Sequence, residues 1–184
     1  MSSSPWGHIQ NAEQYDRGFA SVSTAGHGGF RCAPGWAAEN LSNAARRRGM
    51  SWGGALWYEE DCDWAIVAWE VPQFWPLIFK HTGKDYIPGK RLLETLSSWN
   101  CDYLLEVGVK PDPKGQAYYD QSREGDRRRK EKDPDLIIST SALSRRPGIV
   151  EVHTADDQKH YVTSDSYAKR EGLNLLSKCV LAAL

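Results

Sequence analysis

Two stretches decide the fold of this chain: Ser23-Thr24-Ala25-Gly26-His27-Gly28-Gly29-Phe30 and Trp57-Tyr58-Glu59-Glu60-Asp61-Cys62-Asp63-Trp64. The first sets one histidine among three glycines, and the second crowds four carboxylates and a cysteine between aromatic residues with no basic residue among them. Glycine admits positive φ at no steric cost, so residues 26–29 read as a tight turn with His27 at a hairpin tip or bulge. Strands over 6–15 and 19–24, joined at Asp16-Arg17-Gly18, and a third over 30–33 complete an antiparallel meander. In the second stretch Glu59, Glu60 and Asp61 sit where a helix amino terminus favours negative charge. There Asp61 or Asp63 is placed to cap a run over 64–71 that Pro72 stops, and a strand over the same residues is the rival assignment.

Working outward, residues 36–48 form one helix whose basic end, Arg46-Arg47-Arg48, suits the helix dipole, and 50–56 is a loop delivering the acidic segment. Pro88 opens the clearest helix, over 88–99, with Leu92, Leu93, Leu96 and Trp99 on one face and Asn100 closing it in the left-handed region. A short helix covers 102–107. Another starts at Asp112-Pro113 and carries the mixed-charge stretch 123–132, where acids and bases interleave at i,i+4 spacing as on a solvated face. Residues 136–141 read as a strand, Arg145-Arg146-Pro147-Gly148 as a turn, and 149–154 with 159–163 as a hairpin about Asp156-Asp157. Ser164 or Asp165 caps a last helix ending in Leu173, Leu176, Val180 and Leu184. The expected class is α+β: an N-terminal antiparallel β-meander, central helices, and a C-terminal β-hairpin with a closing helix, in one domain over 1–184 with a soft boundary near 108–113.

Composition narrows the function. A formal charge of -1 over 184 residues fits neither a protein living on nucleic-acid phosphates nor an acidic mimic of DNA, so no strong direct nucleic-acid binding is expected. Cys32, Cys62, Cys101 and Cys179 are scattered without a CxxC pair, as in a reduced cytosolic protein. Met1-Ser2-Ser3-Ser4-Pro5 has no charged leader, and no apolar run approaches the ~20 residues that span a bilayer, so a cytoplasmic location in a host cell is expected. All eight tryptophans lie at or before Trp99, and most are read as core.

The residue types of the two stretches suit three chemistries. His27, His8 and the carboxylates Glu59, Glu60, Asp61 and Asp63 are metal-donor types, yet no HxxxH or HExxH spacing preorganises them, so neither metal nor cofactor is assigned. Cys62 paired with His27 would make a nucleophile, but the adjacent carboxylates raise the thiol pKa and favour a structural cysteine. Consecutive carboxylates repel, which is a start toward acid–base catalysis, although on a helix their side chains diverge. If the chain is an enzyme, His27, Glu59, Asp61 and Cys62 are its catalytic candidates. No Walker loop, GxGxxG, GxSxG or kinase signature is present.

The two stretches, with Trp6-Gly7, resemble the signature segments of an uncharacterised domain carried by bacteriophages, plasmids and other mobile elements. Trp99-Asn100-Cys101-Asp102-Tyr103 and the segments 136–142 and 161–168 are similar to its looser tail. A second similarity is to plasmid antirestriction proteins, in which a strand, a glycine pair, a phenylalanine and a proline-initiated helix occur as Gly28-Gly29-Phe30 and Ala33-Pro34 do here. Both resemblances imply an accessory protein of a mobile element, a class in which proteins that disable host defence are frequent, and neither carries catalytic residues with it. The leading expectation is an inhibitor that binds a host defence protein or ribonucleoprotein complex, such as a CRISPR effector or a restriction enzyme. In that reading Glu59, Glu60, Asp61 and Asp63 meet a basic channel and Trp57 and Tyr58 act as anchors. The alternative is a hydrolase or nucleotide-modifying enzyme that uses His27 and the segment 59–63, with or without a metal. A structural role in a phage particle is a third reading.

Overall fold

The computed structural model describes residues 2–83, 86–143 and 146–182. Its chain divides into two units, Met1–Tyr119 and Asp120–Leu184, each holding its own antiparallel sheet of an α+β fold.

In the first unit a two-stranded ribbon, β1 (Ser3–Ser4) with β2 (Gly7–His8), precedes β3 (Asn11–Asp16), β4 (Phe19–Ser23) and β5 (Gly28–Cys32). Two short helices follow, α1 (Pro34–Asn40) and α2 (Asn43–Arg48), then β6 (Met50–Trp52) and β7 (Ala55–Glu59). The sheet order is β3-β4-β5-β7-β6, so the meander expected from the glycine-rich segment is extended by a second hairpin docked on β5. Helix α3 (Trp64–Glu70), a 3₁₀ turn (Pro72–Phe74), α4 (Trp75–Ile78), α5 (Pro88–Trp99) and α6 (Cys101–Glu106) complete the unit, and α7 (Pro113–Lys130) runs from it into the next.

Period-two alternation explains how β7 is held. Tyr58 is fully buried in the main core with Phe19, Phe30, Ile66 and Leu96, while Trp57 turns to the opposite face and packs with Val22, Ala55, Trp6 and Ile9. Trp57 makes edge-on contacts with Trp6 and with Trp52, each with ring centroids 5.7 Å apart, and its indole N–H donates to the Trp52 carbonyl at 2.9 Å. The Tyr58 hydroxyl, which burial holds well above the usual tyrosine pKa, donates to the Ala45 carbonyl at 3.0 Å. Part of the main core is aromatic, with Phe19 stacked on Trp36 at 4.3 Å.

Several local expectations are corrected. The helix expected over 36–48 is two helices, because Leu41 is extended and the Ser42 hydroxyl accepts from the Ala45 N–H at 3.1 Å, opening α2 with a cap of its own. Glu70 fastens that cap: it accepts from the Ser42 N–H and hydroxyl, each at 2.5 Å, and from the Tyr103 hydroxyl at 2.7 Å. The loop expected over 50–56 is the β6–β7 hairpin, whose two-residue turn Gly53-Gly54 has φ of 54° and 72°, the pattern that matches strand twist. Helix α3 is formed, but Asp63 has helical backbone and makes no capping bond. Asn100 ends α5 at φ -130°, outside the left-handed region.

Two residues of the triple arginine at the end of α2, Arg47 and Arg48, are bound by carboxylates of α6, while Arg46 donates to the Ala38 carbonyl and to Asn43. Arg48 reaches Glu106 at 2.8 Å and Asp102 at 3.1 Å, and Arg47 pairs with Glu106.

The second unit pairs β8 (Ile137–Ala142), β9 (Ile149–Thr154) and β10 (Lys159–Thr163) in the order β10-β9-β8 around Ile137, Val152 and Val162. The hairpin turns at Asp156-Asp157 as expected, with Asp157 at φ 66°. On α7, Arg127 and Arg128 share Glu124 at 2.7 and 2.8 Å, which holds the Glu124 carboxyl down at about 2. Thr163, not Ser164 or Asp165, caps α8 (Ser164–Lys169), and that helix stops well short of the expected end. Residues 174–182 pair with strand backbone instead, through Ile137 N–H to the Asn174 carbonyl at 2.8 Å and Thr163 N–H to the Val180 carbonyl at 2.9 Å. Arg145 of the expected turn and Leu184 of the expected helix lie outside the described residues.

One position carries the contact between the two hairpins of the first unit. Gly29 has φ 151°, and a Cβ there would overlap the Tyr58 carbonyl oxygen and sit 2.7 Å from the Trp6 ring. Gly29→Ala is therefore expected to cost ~2 kcal/mol or more in urea unfolding, because backbone and a packed indole must both give way. Gly26→Ala, where a Cβ meets nothing within 4 Å, should stay within ~0.5 kcal/mol of the wild type.

Candidate functional site

Strand pairing brings the two decisive stretches together. In the β5–β7 register Gly29 stands opposite Glu59, and one step beyond it the Glu60 N–H donates to the Gly28 carbonyl at 3.0 Å. The turn before β5 is fixed by Thr24, whose N–H donates to the His27 carbonyl at 2.7 Å and whose hydroxyl accepts from the His27 N–H at 3.1 Å. That closure sets the imidazole against β7, with His27 Nδ1 3.6 Å from Glu59 Oε1.

The carboxylates differ in what they face. Glu59 Oε2 accepts from the Asp61 N–H at 2.8 Å, closing the turn, while Oε1 is shut off from solvent and accepts no hydrogen bond from the described residues. The His27 side chain is 57% exposed and that of Glu59 only 21%, so the imidazole is the outer member of the pair. The Glu60 side chain folds back over Gly28, where a Cβ would collide with its Oε2 and lie 2.9 Å from the Val22 carbonyl. Ligand atoms of His27, Glu59 and Glu60 consequently lie within 4.8 Å of one another. His8, on β2, is not part of this group.

The remaining candidates divide. Asp61 is exposed at the tip of the turn and Asp63 is half-buried at the start of α3. Among the described residues no lysine or arginine forms an ion pair with Glu60, Asp61 or Asp63. Cys62 Sγ lies 3.5 Å from Asp63 Oδ1 and 4.0 Å from Glu59 Oε2. Burial first, then the charge of Asp63 and a hydrogen bond to it, pushes the Cys62 thiol up to about 12. Trp57 and Tyr58, expected as surface anchors, are 2% and 0% exposed. They hold the turn from beneath, and a side chain inside the core cannot reach a partner.

The sequence reading missed an open pocket of about 660 Å³ beside the turn, whose walls include Glu60, Glu13, Tyr15, Ser21, Trp64 and Phe79. Period two along β3 places Glu13 and Tyr15 on one face, a signal available in the sequence. Phe79, just past the end of α4, has no such signature. Glu60 joins the pocket to the His27–Glu59 pair.

The model of a family defined as a domain of unknown function, DUF7007, matches residues 1–132. The chain belongs to the DUF7007 family. No curated protein and no solved structure matches it. The matched residues take in the whole of the first unit, so His27, the 59–63 turn and the pocket belong to the DUF7007 domain, and β8–β10 lie beyond it. Among the described residues no helix is long and apolar enough to cross a membrane.

A thiol held this high is protonated at neutral pH. Alkylation of Cys62 by iodoacetamide, followed by peptide mass spectrometry, should be slow at pH 7.5 and still accelerating at pH 10. Asp63→Asn removes a raising charge, so it should bring the rise to lower pH.

Proposed function

We propose that this DUF7007 chain is an accessory protein of a mobile element that disables a host defence complex, a CRISPR effector or a restriction enzyme, by direct contact through the 59–63 turn. The observation that supports it is the state of the turn: Glu60 and Asp61 are exposed on a segment braced by the Glu60–Gly28 and Asp61–Glu59 hydrogen bonds, and no basic side chain of the described residues neutralises them. Fixed, unpaired carboxylates favour a basic partner, because they steer encounter and lose little freedom on docking. The resemblance to mobile-element and antirestriction sequences points to the same class of target, whose arginine- and lysine-rich nucleic-acid channels have the matching charge. With Trp57 and Tyr58 in the core, the turn itself supplies the contact.

A second reading, a hydrolase or nucleotide-modifying enzyme, is favoured by the placement of His27 against Glu59 beside a pocket. In that reading Glu59 orients the imidazole, which serves as general base for a substrate held over Glu60.

The two readings separate in cells carrying a restriction or CRISPR system and challenged with phage or plasmid. Protection by the wild type should fall about tenfold or more with the double substitution Glu60→Lys, Asp61→Lys and survive His27→Ala. Protection that withstands the charge reversal, or is absent against both systems, contradicts the contact reading. Loss with His27→Ala alone, together with target loss beyond one equivalent, supports the enzyme.

A further inference from the structure

We propose that His27, Glu59 and Glu60 form a binding site for one divalent transition-metal ion, of the zinc and manganese class, at the edge of the pocket. The donor set is mixed, one imidazole and two carboxylates, and it comes from two paired segments, the His27 turn and the end of β7. Such a set suits Zn²⁺ or Mn²⁺ better than Mg²⁺ or Ca²⁺, which take oxygen ligands almost exclusively.

The spacing agrees with the chemistry. Ligand atoms at about 2.1 Å from a tetrahedral zinc lie roughly 3.4 Å from each other, and His27 Nδ1 is 3.6 Å from Glu59 Oε1. The third donor, on Glu60, falls within the 4.8 Å span of the group, which a small rotation of an exposed side chain closes. A bare cluster of acids would show like charges spread apart in water. Here the Glu60 carboxylate is folded back over Gly28 toward Glu59, on a surface made by the lack of a Cβ.

Two further features point to a cation. Glu59 Oε1 is the one buried side-chain polar atom among the described residues that has no hydrogen-bond partner, and it is the atom aimed at His27. An anionic oxygen withdrawn from solvent without a hydrogen bond is costly, and a bound cation offsets that cost. Glu59 Oε2 is already held by the Asp61 N–H, which fixes the orientation of Oε1 as an outer hydrogen bond orients a metal ligand. Glu60 also forms part of the pocket wall, so an ion held by three protein atoms keeps coordination positions open toward a space able to take a small molecule, the arrangement of a catalytic or ligand-binding metal.

The site stands or falls apart from the contact reading above: metal binding is measured on the purified chain without any partner. Full-length protein freed of metal by chelation is titrated calorimetrically with Zn²⁺ and, separately, with Mn²⁺ and Mg²⁺. One equivalent of Zn²⁺ or Mn²⁺ is expected, tighter than Mg²⁺, with at least about a tenfold loss of affinity in His27→Ala and in Glu59→Gln. Circular dichroism checks that each variant is folded. Cys62→Ser should leave binding unchanged, and a large loss there would assign the ion to a thiolate and overturn the donor set. Should a variant fail to fold, Mn²⁺ line broadening on the wild type still decides: it should be strongest at the amides of Gly28 and Glu60 and at the His27 ring. No binding, binding indifferent to His27 and Glu59, or broadening centred elsewhere overturns the proposal.

Discussion

The pairing of β5 with β7 is the constraint on which the first unit depends. The two strands approach so closely at Gly29 that the Tyr58 carbonyl and the Trp6 ring occupy the space any side chain would need. The candidate-site residues inherit their positions from that contact. Gly28 and Gly29 lie opposite Glu60 and Glu59, the residues before them carry His27, and those after Glu59 make the acidic turn. Burial of Tyr58 on one face and Trp57 on the other resists a slip of register, since moving β7 by one residue would exchange the two faces and place each ring in the cluster packed around the other.

Charge organisation follows from the same packing. The two basic runs of the chain find carboxylates nearby: Arg47 and Arg48 pair with Glu106 and Asp102, and Arg127 and Arg128 share Glu124. Among the described residues the 59–63 turn has no such partner beyond His27. Four carboxylates with one half-exposed imidazole form a locally negative surface on a nearly neutral chain, and burial first, with the charge of Asp63 added to it, keeps Cys62 a thiol.

Much of this was legible in the sequence, for physical reasons that differ by element. The β3–β4 hairpin, α5 and the β9–β10 hairpin announce themselves through glycine placement or periodicity, and each formed; the turn read at 26–29 lies two residues earlier, closed by Thr24 and His27, with Gly28 and Gly29 already in β5. That His27 and the acidic segment meet has no signature in either stretch, and strand pairing delivers it. Other readings failed where long-range packing overrode a local signal. Gly53-Gly54 read as a loop because glycines weaken a strand, yet two successive residues at positive φ are what a tight hairpin requires. Ser42 was hidden inside an alanine-rich helical run although its hydroxyl splits that run in two. Trp57 and Tyr58 looked like anchors because aromatic residues beside charges mark interfaces as readily as cores, and only the sheet decides between them. Phe79 in the pocket wall depends on tertiary structure that no short pattern encodes.

The most direct test of the central claim is a nuclear Overhauser measurement on the labelled chain across the β5–β7 junction, since the site, the pocket edge and the metal donors all require that one register. Contacts between the α-protons of Gly29 and Glu59, with slow exchange of the Glu60 amide, are the expected result. Contacts of Glu59 with β6 alone, and a Glu60 amide that exchanges as fast as an open loop, would contradict the account.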